Sequence, residues 1–174
     1  NRERSSLLFF KAEDGLRSLI VTGVQTCALP SWTFVRIYGA AKSNQDIEAA
    51  LMVCSDGFSL EAVSIPGRTT NKQESREMLQ AFFVAFPDYH VSLDHLSVDG
   101  SACWGDIAMS PQGDFLGLEP TGNKVALPFF SAFEFEGPFI SSERFFLDLG
   151  HLTLQLYDRD HVFLSFADYH NQSV

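Results

Sequence analysis

The alternation of apolar and polar positions divides the chain into short elements that change period twice. Phe34, Ile37, Tyr38 and Ala41 recur at helical spacing until Ser43-Asn44 closes the run and caps the next. A second helix follows, with Ile47, Ala50, Leu51 and Cys54 on one side. Asp56-Gly57 is a turn signal. The segment from Phe58 to Ile65 then alternates as a strand does and ends at Pro66-Gly67. Asn71 followed three residues later by Glu74 reads as a capping box. It opens a helix whose stripe of Met78, Phe82 and Phe86, widened by Leu79, Phe83 and Ala85, stops before Pro87.

From there the period is two. Asp88 to Val98 and Ser101 to Ser110 form a hairpin about Asp99-Gly100. Gly113 to Val125 is a glycine-punctuated excursion, after which Ala126 to Glu136 and Phe139 to Leu147 form two further strands joined at Gly137-Pro138. A short amphipathic helix carrying Leu149, Leu152 and Leu156 closes the pattern. Helices first and consecutive antiparallel strands afterwards predict an α+β fold, a curved antiparallel sheet packed against three N-terminal helices with a short C-terminal helix.

The two ends stand outside that pattern. Lys11 to Ser31 resembles the translation of a sequencing-library adapter, a contaminant at the ends of metagenomic genes, so residues 1–31 are set apart as a non-native or disordered leader. The tail 157–174 is polar and aromatic and reads equally as an edge strand, a disordered end or out-of-frame sequence.

With 174 residues and 45% hydrophobic content the chain can bury a substantial core. Its 17 Phe suggest either ordinary core filling or the lining of a bulky apolar space. A net charge of −10 with scattered basic residues disfavours nucleic acid and anionic membranes as partners. No apolar run reaches the roughly 20 residues that cross a bilayer, so a soluble protein is expected. Three widely spaced cysteines, Cys27, Cys54 and Cys103, fit reduced thiols of a cytoplasmic protein, and neither they nor the five histidines show metal-ligand spacing.

Asp148 is the candidate for acid–base chemistry, a carboxylate among Phe145, Phe146, Leu147 and Leu149 at the junction of strand and helix. An apolar setting disfavours the charged form of a carboxylate and raises its pKa toward the working range. The same residue is equally well placed to cap the helix that follows. Phe82 and Phe86 are candidates for a pocket wall, with a core role as the alternative.

Residues 32–156 resemble the SnoaL-like polyketide cyclase family of the nuclear transport factor two-like superfamily. The resemblance is carried by the paired N-terminal helices, Ala85-Phe86-Pro87-Asp88, Gly113-Asp114-Phe115-Leu116-Gly117-Leu118, Pro120 to Val125, Phe133-x-Phe135-x-Gly137, and Glu143-Arg144-Phe145-Phe146-Leu147-Asp148. It implies a cone-shaped α+β barrel closed by helices over a deep pocket, commonly a homodimer. It also implies acid–base chemistry on a hydrophobic carbonyl compound without metal or organic cofactor, with Asp148 as the catalytic residue. Tyr38, Phe82, Phe86, Trp104, Asp106, Phe133 and Phe135 are the expected substrate-binding positions. Two departures stand out. Pro111 occupies the place of a family histidine, and Trp104 that of an arginine. Proline can neither donate nor relay a proton, so a mechanism using that histidine is absent here. Two functions therefore remain open, a cofactor-independent cyclase or isomerase and a non-catalytic small-molecule-binding or dimerisation domain.

Overall fold

A computed structural model describes residues 31–65, 67–114 and 120–157. The expectations for the leader and the tail lie outside those residues, apart from Ser31 and Tyr157 at the ends of two helices. The order is α1 (Ser31–Ser43), α2 (Ile47–Met52), β1 (Cys54–Ala62), α3 (Lys72–Ala85), β2 (His90–Leu96), β3 (Ala102–Met109), β4 (Val125–Glu136), β5 (Phe139–Leu147) and α4 (Leu149–Tyr157). The α+β architecture stands as expected, a curved and unclosed five-stranded sheet with helices against one face.

The strand order is β1-β5-β4-β3-β2. Four strands form the antiparallel meander that the alternation predicts, whereas β1 joins at the far edge parallel to β5, which makes the sheet mixed. The long connection through α3 permits this, since parallel neighbours need a crossover rather than a tight turn. β1 also begins earlier than its alternation suggested. Cys54 pairs with Ile140, and the Asp56-Gly57 turn signal lies inside the strand, where the register shifts between Cys54 and Ser59. The turn residues have become a bulge.

The helix caps follow local chemistry. Asn71 Oδ1 accepts from the amide of Glu74 at 2.9 Å, as a capping residue should. Glu74 reaches back to the amide and hydroxyl of Thr70, at 2.7 and 3.0 Å, one residue before the position a capping box prescribes. In the β2–β3 hairpin Gly100 takes φ +77, and a Cβ there would lie 2.7 Å from the backbone nitrogen of Trp32, so glycine serves both the turn and the start of α1.

The core lies between the helices and the inner sheet face. On β3, Cys103, Ile107 and Met109 point inward, and on β4 Val125, Leu127, Phe129, Ser131 and Phe133 do so. Their cross-strand partners on β5 are Glu143, Phe145 and Leu147. Val35, Tyr38 and Ala41 of α1, and Leu79 and Phe83 of α3, close over them. α4 takes the place left where β5 ends. Gln155 accepts from the Ala126 amide and donates to its carbonyl, both at 2.9 Å, completing the hydrogen bonding of β4 as a strand would. No helix among the described residues is long and apolar enough to cross a membrane.

Candidate functional site

Two adjoining hollows lie between α1, α3 and the inner sheet face. The larger, partly open, has a volume of about 90 Å³ and walls that are almost entirely apolar, among them Met78, Phe82, Ile107 and Phe145. Lys42 and Tyr89 also line it. The smaller, about 10 Å³, is bordered by Tyr38, Lys42, Tyr89, Cys103, Phe133 and Glu143.

The polar centre between them is a buried ion pair. Lys42 Nζ lies 3.1 Å from Glu143 Oε2 and 3.4 Å from Oε1. The Tyr38 hydroxyl donates to Oε2 at 2.7 Å and the Ser131 hydroxyl to Oε1 at 2.9 Å, so the carboxylate is held by three side chains. Both charged side chains are more than nine-tenths buried. The Lys42 ammonium also stands 4.8 Å from the centre of the Tyr38 ring and 5.6 Å from that of Phe145, within cation–π range.

Burial alone would lower the pKa of Lys42. The charge of Glu143, the field of Tyr89, the hydrogen bond to Glu143 and the field of Cys103 outweigh it, and the net direction is upward. Burial first, and then the Glu143 charge, push the Tyr38 hydroxyl well above its ordinary value. Burial raises Tyr89 to about 12 and the Cys54 and Cys103 thiols to about 12 as well. At neutral pH Lys42 is therefore an ammonium, and the phenols and thiols keep their protons. The two thiols are inert packing groups. Among the described residues no group of three or more His, Cys, Asp or Glu side chains could hold a metal ion.

The expected site residues divide. Tyr38 is in the polar centre, Phe82 lines the larger hollow, and Phe133 lines the smaller and meets Tyr38 edge to face at 6.4 Å. Phe86 is buried against Phe82, with ring centres 4.8 Å apart, and borders neither hollow. Phe135 packs at the core margin, past a register shift that follows Glu134.

Trp104 and Asp106 share a strand face, but it is the outer one. Both are exposed, and Trp104 stacks on His95 at 4.9 Å. The alternation places them together; burial of Cys103 and Ile107 on either side of them decides which way they point. Asp148 likewise lacks the apolar enclosure expected of it. It is exposed, its Oδ1 accepts from the His151 amide at 3.0 Å, and its carbonyl accepts from Leu152 at 2.9 Å. The helix-capping alternative describes its geometry. Pro111 is fully buried.

Lys42 and Glu143 were not among the expected site residues, although each carries a sequence signal. Lys42 is seven residues after Val35 and four after Tyr38, on the buried stripe of α1. Glu143 is two residues before Phe145 and four before Leu147, so it shares their inner face. A charge in phase with a buried stripe needs a partner inside the fold.

The sequence profile of the SnoaL-like polyketide cyclases matches residues 33–156. Solved structures similar to the chain include a candidate SnoaL-like polyketide cyclase from Jannaschia sp. CCS1, with 16% identity, a TM-score of 0.66 and coverage of 79% of this chain and 98% of the other. A candidate polyketide cyclase from Pseudomonas putida KT2440 matches with 18% identity and a TM-score of 0.62, covering 74% and 98%. An LEH-like epoxide hydrolase from M. tuberculosis matches with 16% identity and a TM-score of 0.57, covering 73% and 89%. At these identities the structures share a fold. No curated protein matches the chain.

Proposed function

Because the chain belongs to the SnoaL-like polyketide cyclase family, we propose that it acts on a small hydrophobic carbonyl compound by acid–base chemistry, with Lys42 rather than Asp148 at the reacting oxygen. The observation that carries this reading is that Lys42, with Tyr89, borders a hollow whose other walls are apolar. Water or a buffer base reaching the partly open hollow takes the proton from carbon next to the carbonyl, and the electron pair left behind builds negative charge on the oxygen. A fixed cation in a water-poor site stabilises that charge without having to reorganise. Glu143 holds Lys42 in place, and an ammonium with three N–H donors can serve the carboxylate and a ligand together. The hollow is small beside the roughly 300–1,000 Å³ of sites for drug-sized ligands, which favours monocyclic over polycyclic compounds.

A non-catalytic binding function is the second reading. It is favoured by the absence, among the described residues, of any carboxylate lining the larger hollow to take up the proton. Hydrogen–deuterium exchange next to the carbonyl of small cyclic ketones separates the two. The catalytic reading expects exchange above the buffer rate, lost in Lys42→Met. Binding without exchange leaves the second reading, and ketones that neither bind nor exchange overturn both. We also propose a homodimer in which a second copy covers the outer-face row Trp104, Phe130 and Phe146. Their strand positions are adjacent, and Trp104 and Phe130 are exposed by 47% and 41%.

A further inference from the structure

We propose that the larger hollow selects uncharged carbonyl compounds over the corresponding carboxylates, and that the Tyr89 hydroxyl is the second donor to the ligand oxygen. The inference rests on the carbonyl-binding reading above and specifies its substrate class.

Two observations carry it. The first is the charge balance of the polar centre. Lys42 and Glu143 are 3.1 Å apart and both buried, so the ammonium of this lining residue is already neutralised by its partner. Among the described residues the other ionisable side chains at the two hollows, Tyr38, Tyr89 and Cys103, are all held in their uncharged forms. A carboxylate entering from water would bring an uncompensated negative charge into apolar walls, close to Glu143. A ketone oxygen brings no charge and needs only donors.

The second is Tyr89 itself. Its side chain is 3% exposed and borders both hollows beside Lys42. The neighbours that act on it are charges and burial, and no hydrogen bond of its hydroxyl is found among the described residues. The hydroxyl is not among the fully buried polar atoms left without a partner, so on this buried ring it keeps an accessible edge that a ligand acceptor can take up. A carbonyl oxygen has two lone pairs, enough for one N–H of Lys42 and the O–H of Tyr89. The aromatic contacts of Tyr89 with Phe82 and Phe83, at 5.1 and 6.0 Å between ring centres, fix its ring.

The test uses the full chain with cyclohexanone, cyclohexanecarboxylate and methylenecyclohexane, which lacks the oxygen, at pH 7.5, with affinities from NMR titration. The expectation is that the ketone binds tighter than the carboxylate by on the order of tenfold or more, the least that an unpaired buried charge costs. Tyr89→Phe should weaken the ketone by roughly three- to tenfold and leave methylenecyclohexane unchanged, a split that a purely structural role of Tyr89 does not produce. Glu143→Gln should unmask the Lys42 charge and turn the preference toward the carboxylate. Equal or tighter carboxylate binding by the unmodified chain overturns the charge argument. A ketone preference untouched by Tyr89→Phe overturns the role of Tyr89. If no cyclic ligand binds, the carbonyl-binding reading itself fails. Should Glu143→Gln not fold, the other two comparisons decide.

Discussion

Lys42→Met is the sharpest test of the polar centre. The substitution keeps an unbranched side chain of similar length, so little volume is lost, but it leaves the Glu143 carboxylate with two hydroxyl donors, Tyr38 at 2.7 Å and Ser131 at 2.9 Å, and no countercharge. Glu143 is only 2% exposed. Breaking a buried pair on one side costs about 3–5 kcal/mol, because the surviving charge stays desolvated. Removing both charges in Lys42→Met/Glu143→Leu eliminates that penalty and leaves only the two hydroxyls without an acceptor, about 1–3 kcal/mol each. The double variant should therefore be much less destabilised than the two single variants sum to. Urea unfolding of the four proteins at pH 8, followed by circular dichroism, measures the cycle. A cost below about 1 kcal/mol for Lys42→Met at pH 8, with additive single variants, would refute the picture of a dry ion pair.

Other outcomes follow from the same geometry. Asp148→Ala should cost about 1 kcal/mol through the lost α4 cap, with Asp148→Asn close to neutral and ketone exchange retained in both, measured by thermal unfolding and exchange; loss of exchange in Asp148→Asn would restore Asp148 as the acid–base residue. Tyr38, Lys42, Tyr89, Cys54 and Cys103 all have pKa values raised by folding. Above about pH 9 the unfolded chain loses these protons first, so stability should fall as pH rises, by up to ~1.4 kcal/mol per pH unit for each group, and urea midpoints between pH 8 and pH 11 check the sign. Phe130→Asp should reduce the molar mass seen by light scattering if a second copy covers the outer face, with the monomer remaining folded; an unchanged dimer would move the interface elsewhere.

Much of the architecture was legible because burial follows local period. The stripe of α3, the alternation of β3 and β4 and the Asp99-Gly100 turn are properties of neighbouring residues, and they hold in the fold. Period also states which residues share a face: Trp104 with Asp106, Glu143 with Phe145, Tyr38 with Lys42. What it leaves open is which face turns inward and what waits there. That depended on the sheet's partners, and it put Trp104 and Asp106 in solvent and Glu143 in the core. The parallel placement of β1 beside β5 was equally beyond local pattern, because it is set by the crossover through α3. Lys42 and Glu143 lie 101 positions apart in the chain, and only folding brings them to 3.1 Å. Each alone is an ordinary surface residue type; the pairing that makes them tolerable in the interior also makes the site, and pairing is a property of tertiary structure.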